Sequence, residues 1–263
     1  MPPICFLLLP LAFAVMGFSR YYKTEAIVLR SIRLREADRV VHLYTGSRGR
    51  VGAVAKGVRR TRSRFGGRLE PFFRLNLVMY EGRGELHTIT QAETVESYPR
   101  LRERGLSLSA ATTACETVLR LFSEGEPNPA AYNLLCRELQ LLESDPAAAG
   151  AANLLAFRLK LLLAAGFAPE LNACAVCGSA EDGAVVAGFS AAAGGVVCDG
   201  CADGAQPTDC FALTQAALSF MAGSLGQPLR EAPVAAPATL AQVDRALGGT
   251  LEHHAHVRLR SVA

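Results

Sequence analysis

Val40-Val41-His42-Leu43-Tyr44-Thr45, the turn residues Thr45-Gly46-Ser47-Arg48-Gly49, and Arg50-Val51-Gly52-Ala53-Val54-Ala55-Lys56 together decide the fold of this chain. Two apolar runs rich in β-branched residues, separated by a glycine-containing turn, read as a β-hairpin. Working outward, Thr24-Glu25-Ala26-Ile27-Val28-Leu29 reads as a strand before the hairpin. Phe72-Phe73-Arg74-Leu75-Asn76-Leu77-Val78-Met79-Tyr80 reads as a fourth strand, with apolar and polar residues partly alternating from Phe73. After the turn Gly82-Arg83-Gly84, Glu85-Leu86-His87-Thr88-Ile89-Thr90 begins a fifth. Five short strands with turns at close spacing predict a small barrel.

An oligonucleotide-binding (OB) type of barrel is the natural candidate, and a small SH3-like barrel is the alternative. After Tyr98-Pro99 the apolar period changes from strand to helix. Leu106 to Phe122 predicts a helix with Leu108, Ala111, Cys115, Val118, Leu119 and Phe122 near one face. Ala130 to Glu143 predicts a second, carrying Leu134, Leu135, Leu139 and Leu142. Ala151 to Ala165 is strongly apolar and is closed by Gly166, with Pro169 beyond it. Leu213 to Leu225 and Leu240 to His254 add two more. The expected class is therefore α+β: a five-stranded OB-type barrel over residues 20–96, packed on a helical domain over 97–263.

Half of the 263 residues are hydrophobic and 19% are charged, which is a globular composition. The net charge of +3 conceals a local excess. Arg48, Arg50, Lys56, Arg59, Arg60, Arg62, Arg64 and Arg68 fall in one window that holds no Asp or Glu. Such a run finds anionic polymers, and the guanidinium fork suits bidentate phosphate contact. A solvated surface loop is the plainer reading. Its position between strands of the barrel favours nucleic acid, since OB barrels pair a positive groove with stacking aromatics. Phe65, Phe72, Phe73 and Tyr80 are nearby, with Phe72 and Phe73 better read as core and strand residues.

Cys174-Ala-Val-Cys177-Gly178 and Cys198-Asp-Gly-Cys201 form a C-x2-C-x20-C-x2-C pattern. That spacing belongs to four-thiolate zinc sites. Gly178 and Gly200 let the backbone curl so that its N–H groups approach sulfur. Ala184-Val185-Val186 and Val196-Val197 can form a hairpin that brings the two pairs together within a module at 172–205. Four cysteines fill a tetrahedral shell, so one structural Zn2+ is expected. Two disulfides, a redox dithiol or an iron–sulfur cluster are the alternatives. The remaining cysteines, Cys5, Cys115, Cys136 and Cys210, are scattered. A reducing cytoplasm suits this usage better than a disulfide scaffold.

Ile4 to Phe18 is nearly all apolar, but no Lys or Arg precedes it and it is short for a membrane span. Met16 offers a second start, so residues 1–19 are expected to be a non-native extension or a misassigned start. An export signal is the alternative. No Walker, GxSxG, HExxH or Rossmann fingerprint is present, and the chain is expected not to be an enzyme. His253, His254 and His256 read as surface residues. Glu25 and Glu36 to Asp38 read as solvated charges, and Cys115 and Cys136 as small core residues.

The order of parts resembles the RecO family of bacterial recombination mediators. The resemblance is carried by Gly49-Arg-Val-Gly-Ala-Val-Ala-Lys-Gly-Val-Arg-Arg60, Leu69-Glu70-Pro71-Phe72, Glu81-Gly82-Arg83-Gly84-Glu85-Leu86, and the junction from Leu162-Leu163-Ala164-Ala165-Gly166-Phe167-Ala168-Pro169 to Cys174-Ala-Val-Cys177-Gly178. It implies binding of single- and double-stranded DNA and annealing of complementary strands. It also implies partnership with RecR and with the C-terminal tail of single-stranded DNA-binding protein, so that RecA, an indirect partner, can be loaded. The family's DNA contacts are basic barrel residues, which by region match the eight cations named above. An acidic, apolar-ended tail requires an apolar pocket edged by a cation, for which Arg158 and Lys160 are candidates. A zinc-ribbon adaptor that binds proteins only, or an exported enzyme with disulfides, would be the rival functions.

Overall fold

The computed structural model describes residues 20–60, 63–180, 186–203, 209–254 and 256–259. The expectation for residues 1–19 lies outside them, as do Arg62, Ala184 and Val185.

Five strands open the fold: β1 (Tyr21–Leu34), β2 (Asp38–Thr45), β3 (Gly49–Ala55), β4 (Arg74–Tyr80) and β5 (His87–Glu96). They pair in the order β1-β2-β3-β5-β4 and close into a barrel. Every pairing is antiparallel except β3 with β5, where Ala53 faces His87 and Val54 faces Thr88. Closure removes free sheet edges, which is how small barrels avoid edge-to-edge association. Strand alternation sends Ala26, Val28, Val41, Leu43, Leu75 and Leu77 into the barrel core. Ile27, Leu29 and Tyr44 point the other way, into a second core shared with the helices. β1 is thus buried on both faces at its centre, and this is why Ala26 to Leu29 is an unbroken apolar run.

The segment between β3 and β4 is not a strand but returns to the barrel through two anchors. Phe65 and Leu69 are almost fully buried and belong to the barrel core. Burying each contributes about 1.5–3 kcal/mol. Phe72, expected within a strand, instead takes φ +75° before β4 and packs into the core shared with the helices.

The helices are α1 (Pro99–Glu103), α2 (Gly105–Leu121), α3 (Pro129–Ser144) and α4 (Ala151–Ala164). Asn128 starts α3: its Oδ1 accepts from the Ala131 N–H at 2.9 Å, and Pro129 takes the first helical position. The same side chain donates Nδ2–H to Ala164 O at 2.8 Å and so ties α3 to the end of α4. α4 ends at Gly166, φ +80°, with Phe167 N–H bonded to Leu162 O and Gly166 N–H to Leu163 O. That pair of bonds is a Schellman cap. α4 is buried around most of its circumference because it separates two cores. Leu154, Phe157 and Leu161 face the barrel side, while Leu155, Leu159 and Leu162 face the core built with α6 (Gln215–Gly226) and α7 (Pro237–His254).

Two expectations for this region are corrected. Leu108 was expected on the buried face of α2 but is 39% exposed; Ala110, Ala114 and Thr117 fill the interface because the helix approaches closely through small side chains. Arg158, a candidate for an accessible cation, is buried at 3% exposure with Nη1 3.0 Å from Asp244 Oδ1 on α7. It is a structural ion pair, since a lone buried guanidinium would be costly.

Candidate metal centre and nucleic-acid interface

Between α4 and α6 the chain builds β6 (Val186–Ser190), β7 (Gly195–Cys198), α5 (Asp199–Ala202) and the short β8 (Phe211–Ala212). β6 is central, with β7 and β8 on either side. The expected hairpin is present and lies further along the chain than anticipated, with Phe189 opposite Val196. Phe189 and Val196 are buried in the core with α6 and α7, so the hairpin is a rigid base for the cysteines.

The first CxxC turn is fastened to that base by Ala175 N–H to Val196 O at 2.8 Å. Gly178 takes φ +72°, and its N–H bonds to Cys174 O at 2.8 Å, closing the knuckle. Gly200 needs no such freedom, because it lies in α5. All four sulfurs, of Cys174, Cys177, Cys198 and Cys201, lie within 4.8 Å of one another. The Cys177 and Cys198 sulfurs are 3.8 Å apart. A tetrahedron with metal–sulfur bonds of ~2.3 Å has edges of about 3.8 Å, whereas a disulfide needs ~2.0 Å. The described cysteines are free of disulfides.

The electrostatics suit a bound cation. Burial pushes the Cys174 thiol up, but the N–H groups of Cys177, Cys198 and Val176 outweigh it and bring its pKa down to about 6. Cys198 N–H approaches the Cys174 sulfur at 3.4 Å. Hydrogen bonding with Cys198 and Cys177 holds Cys201 up at about 12. Cys174 therefore loses its proton readily while Cys201 holds its own, because like charges this close do not accumulate unaided. A divalent ion would release the remaining protons, so the donor set fits a closed four-thiolate site.

The basic run divides into three groups. Arg48 is exposed; its Nη1 lies 3.0 Å from Glu81 Oε2 and its guanidinium 3.9 Å from the Tyr22 ring centroid. Arg50, expected among the phosphate contacts, is instead a clamp. Its Nη1 donates to Leu119 O, its Nη2 lies 3.6 Å from Glu124 Oε1, and it joins β3 to the end of α2. Lys56, Arg59, Arg60, Arg64 and Arg68 are exposed. Among the described residues, the ion pairs of the run are those of Arg48 and Arg50. Arg59 is steered by backbone alone, its Nη1 donating to Glu36 O at 2.9 Å and its N–H to Ala37 O at 3.0 Å.

Those two bonds lay the basic loop against the β1–β2 turn and its exposed Arg35; Arg30 and Arg33 are exposed on β1 itself, and none of the three was singled out from the sequence. Their signal was a second arginine series, Arg30, Arg33, Arg35 and Arg39, interrupted by Glu36 and Asp38. Arg39 is paired with Glu70 at 3.0 Å. Asp38 is not a solvated charge, since it accepts the Gly57 N–H at 2.7 Å and shapes the start of the loop. Glu25 is likewise engaged: it accepts from Arg74 Nε at 2.7 Å and from the Tyr132 hydroxyl at 2.6 Å, bridging β1, β4 and α3. Of the expected aromatics, Phe65 and Phe72 are buried and offer no stacking surface. The three C-terminal histidines are exposed, and His254 Nε2 is 2.6 Å from Ala191 O.

A cavity of about 630 Å³ opens where the barrel edge meets α3 and α4. Tyr98, Leu134, Leu141 and Leu229 give it an apolar lining; Arg74, Arg137, Lys160 and Arg230 give it cations, and no carboxylate lines it. Among the described residues no helix is long and apolar enough to cross a membrane.

A closed five-stranded barrel with exposed guanidinium groups, joined to a helical body that carries a four-cysteine cluster, defines a class of two-part α+β proteins with a candidate metal centre. The chain belongs to the RecO family of recombination and DNA repair proteins: residues 18–98 match Recombination protein O N terminal and residues 102–263 match Recombination protein O C terminal. It is 44% identical over 211 residues to the DNA repair protein RecO of Rubrobacter xylanophilus, covering 80% of this chain and 83% of that protein. It is 36% identical over 245 residues to the DNA repair protein RecO of Symbiobacterium thermophilum, covering 91% and 94%.

Proposed function

We propose that this protein is a non-enzymatic recombination mediator that holds single- and double-stranded DNA by its phosphates, anneals complementary strands, and works with RecR to load RecA onto single strands coated by single-stranded DNA-binding protein. The observation that carries the reading is the set of exposed cations on the barrel, Lys56, Arg59, Arg60, Arg64 and Arg68, with no ion-paired carboxylate among the described residues. Arg48, exposed although paired with Glu81, and Arg62, by its place in the sequence, would contribute with them. Two DNA strands repel, and a surface that neutralises both lowers that barrier without covalent chemistry.

The strand order β1-β2-β3-β5-β4 with its single parallel contact supports an OB-type barrel over residues 20–96. Residues 97–263 are the helical domain, with the metal module at 172–205. One Zn2+ held by Cys174, Cys177, Cys198 and Cys201 would be structural, because four thiolates leave no open position. The apolar cavity ringed by Arg74, Arg137, Lys160 and Arg230 suits the acidic, apolar-ended tail of single-stranded DNA-binding protein. The place of action is the cytoplasm, on the nucleoid.

A salt titration against unrelated single-stranded oligonucleotides tests the reading. About five neutralised phosphates give log K falling with log salt at a slope of roughly 3–4. Replacing Arg59, Arg60, Arg62 and Arg64 by Ala should reduce that slope by about 3 units while the thermal midpoint stays within a few degrees. An unchanged slope in a folded variant favours an adaptor that binds proteins alone. Arg50→Ala should behave oppositely, with the slope unchanged and stability lower by about 1–3 kcal/mol as the barrel–helix clamp is lost and Glu124 is left unpaired.

A further inference from the structure

We propose that Cys177 and Cys198 are an oxidisable pair: a hydroperoxide joins their sulfurs in a disulfide and so empties the metal site. The proposal rests on the four-thiolate reading above and adds to it the control of that site by oxidant.

Access singles out the sulfur that meets the oxidant. In a loaded site all four sulfurs are thiolates, so exposure decides among them. Cys174 is buried, Cys198 and Cys201 are partly buried, and Cys177 is exposed. Its neighbour Val176 is half exposed, so the outer side of the first CxxC turn faces solvent. Cys115, Cys136 and Cys210 stand outside the four-sulfur group. Cys115 is buried in α2, Cys136 lines the cavity beside α3, and the Cys210 sulfur lies against β6 at Gly188.

Contact then selects the partner. The Cys177 and Cys198 sulfurs are 3.8 Å apart. Closing that gap to a disulfide takes a movement of about 1.8 Å. The knuckle can supply it, because few backbone bonds hold it, whereas β7 is anchored through Val196 in the core with α6 and α7. Cys174, the other sulfur of the same turn, is buried and already accepts the Cys198 N–H at 3.4 Å.

The chemistry balances with hydrogen peroxide as the oxidant. The Cys177 sulfur attacks the O–O bond; an S–O bond forms, the O–O bond breaks, and the departing hydroxide takes a proton from solvent. Cys177 is now a sulfenic acid, and the peroxide has been reduced. The Cys198 sulfur attacks the Cys177 sulfur; the S–S bond forms, the S–O bond breaks, and the second hydroxide leaves as water. One peroxide thus gives one disulfide and two waters. Cys174 and Cys201 alone do not make a four-ligand shell. The disulfide spans 20 intervening residues and keeps the knuckle tethered to β7 without metal. None of these residues belongs to the barrel, so DNA binding continues.

The test exposes the zinc-loaded full chain to hydrogen peroxide with a chromogenic chelator present, then blocks free thiols and maps the peptides by mass. About one zinc per chain should be released, with a Cys177–Cys198 cross-link and with Cys115, Cys136 and Cys210 still blocked as thiols. Dithiothreitol and added zinc should restore the metal, and oligonucleotide affinity should not change throughout. Cys177→His keeps a shell of three cysteines and one histidine without the exposed sulfur, and should hold its zinc under the same exposure. Cys136→Ser combined with Cys210→Ser should release zinc as the native chain does. Zinc retained by the native chain at peroxide levels that oxidise free cysteine overturns the proposal. So does a disulfide within either CxxC turn, a loss that dithiothreitol does not reverse, or equal release from Cys177→His. Should Cys177→His take up no zinc, the peptide map of the native chain decides alone. Native protein that binds no zinc under reducing conditions removes the four-thiolate reading itself, and the pair with it.

Discussion

Cys198→Ser should release zinc and unfold the knuckle at 174–201 while leaving the barrel able to bind DNA. The expectation follows from how little else holds that segment. Cys177 is exposed and Val176 is half exposed, so the first CxxC turn buries little apolar surface of its own. A few backbone bonds tie it down, among them Ala175 N–H to Val196 O and Cys174 N–H to Ser179 O. Metal coordination would supply the rest, on the order of 10–16 kcal/mol in small four-ligand modules, most of it folding energy. Serine at one corner removes a thiolate and leaves three sulfurs with a hard oxygen. Metal analysis of the native protein should return one zinc per chain, and the variant close to none at micromolar protein. Amide exchange should rise across 174–180 and 198–203 in the variant. Phe189 and Val196 should remain protected, because they are packed with α6 and α7. A variant that keeps a full equivalent of zinc, or native protein with paired thiols and no metal, would remove the site.

The parts of this molecule legible in its sequence are those fixed by neighbours in the chain. The Thr45 to Gly49 turn and the Gly166 helix end are local chemistry, as are both CxxC turns. β1 was underestimated because its end, Arg30 to Leu34, forms an exposed arm with no apolar alternation to mark it. α1 went unnoticed since five residues starting at Pro99 are too short to show a period. α2 was recognised as a helix, but its buried side is lined by alanines and by Ser107 and Thr117, so the leucines pointed to the wrong face.

Side-chain roles decided by distant partners were not legible. Arg48 and Arg50 are two residues apart and look equivalent. One stays exposed on the surface, whereas the other is claimed by Glu124 and Leu119 O, some seventy positions away. Arg158 looked available because nothing near it in sequence is acidic, and Asp244 reaches it only after α7 packs on α4. Glu25 looked solvated for the same reason, its partners Arg74 and Tyr132 being on β4 and α3. Counting charge in a window therefore found a run of cations but could not separate those left exposed from those that brace the fold.

Glu138 gives the second large effect, and its sign is fixed by burial. It is fully buried on α3, and both carboxyl oxygens lie near Asn153 Nδ2 of α4, at 2.9 and 3.0 Å. Burial pushes its pKa from 4.5 up to about 8, only partly opposed by the Asn153 hydrogen bond. The folded protein then holds a proton here that the unfolded chain gives up near pH 4.5. The contribution to stability is fully present below that pH, falls as pH rises from about 4.5 to 8, and is flat above. At about 1.4 kcal/mol per unit the loss is on the order of 5 kcal/mol. Glu138→Gln keeps the shape, cannot ionise, and can donate to Asn153 Oδ1, which has no hydrogen-bond partner in the native protein. A pH profile of the native protein alone would not show this, because zinc held by the thiolates would bind more tightly as pH rises and so run the other way. The difference between variant and native protein cancels that term, since both share the metal site. Denaturant unfolding at pH 5, 6.5 and 8 should find the two within about 1 kcal/mol at pH 5, with the variant increasingly the more stable toward pH 8. Parallel profiles would mean that the carboxyl is already ionised in the fold, and that α3 and α4 enclose a charge.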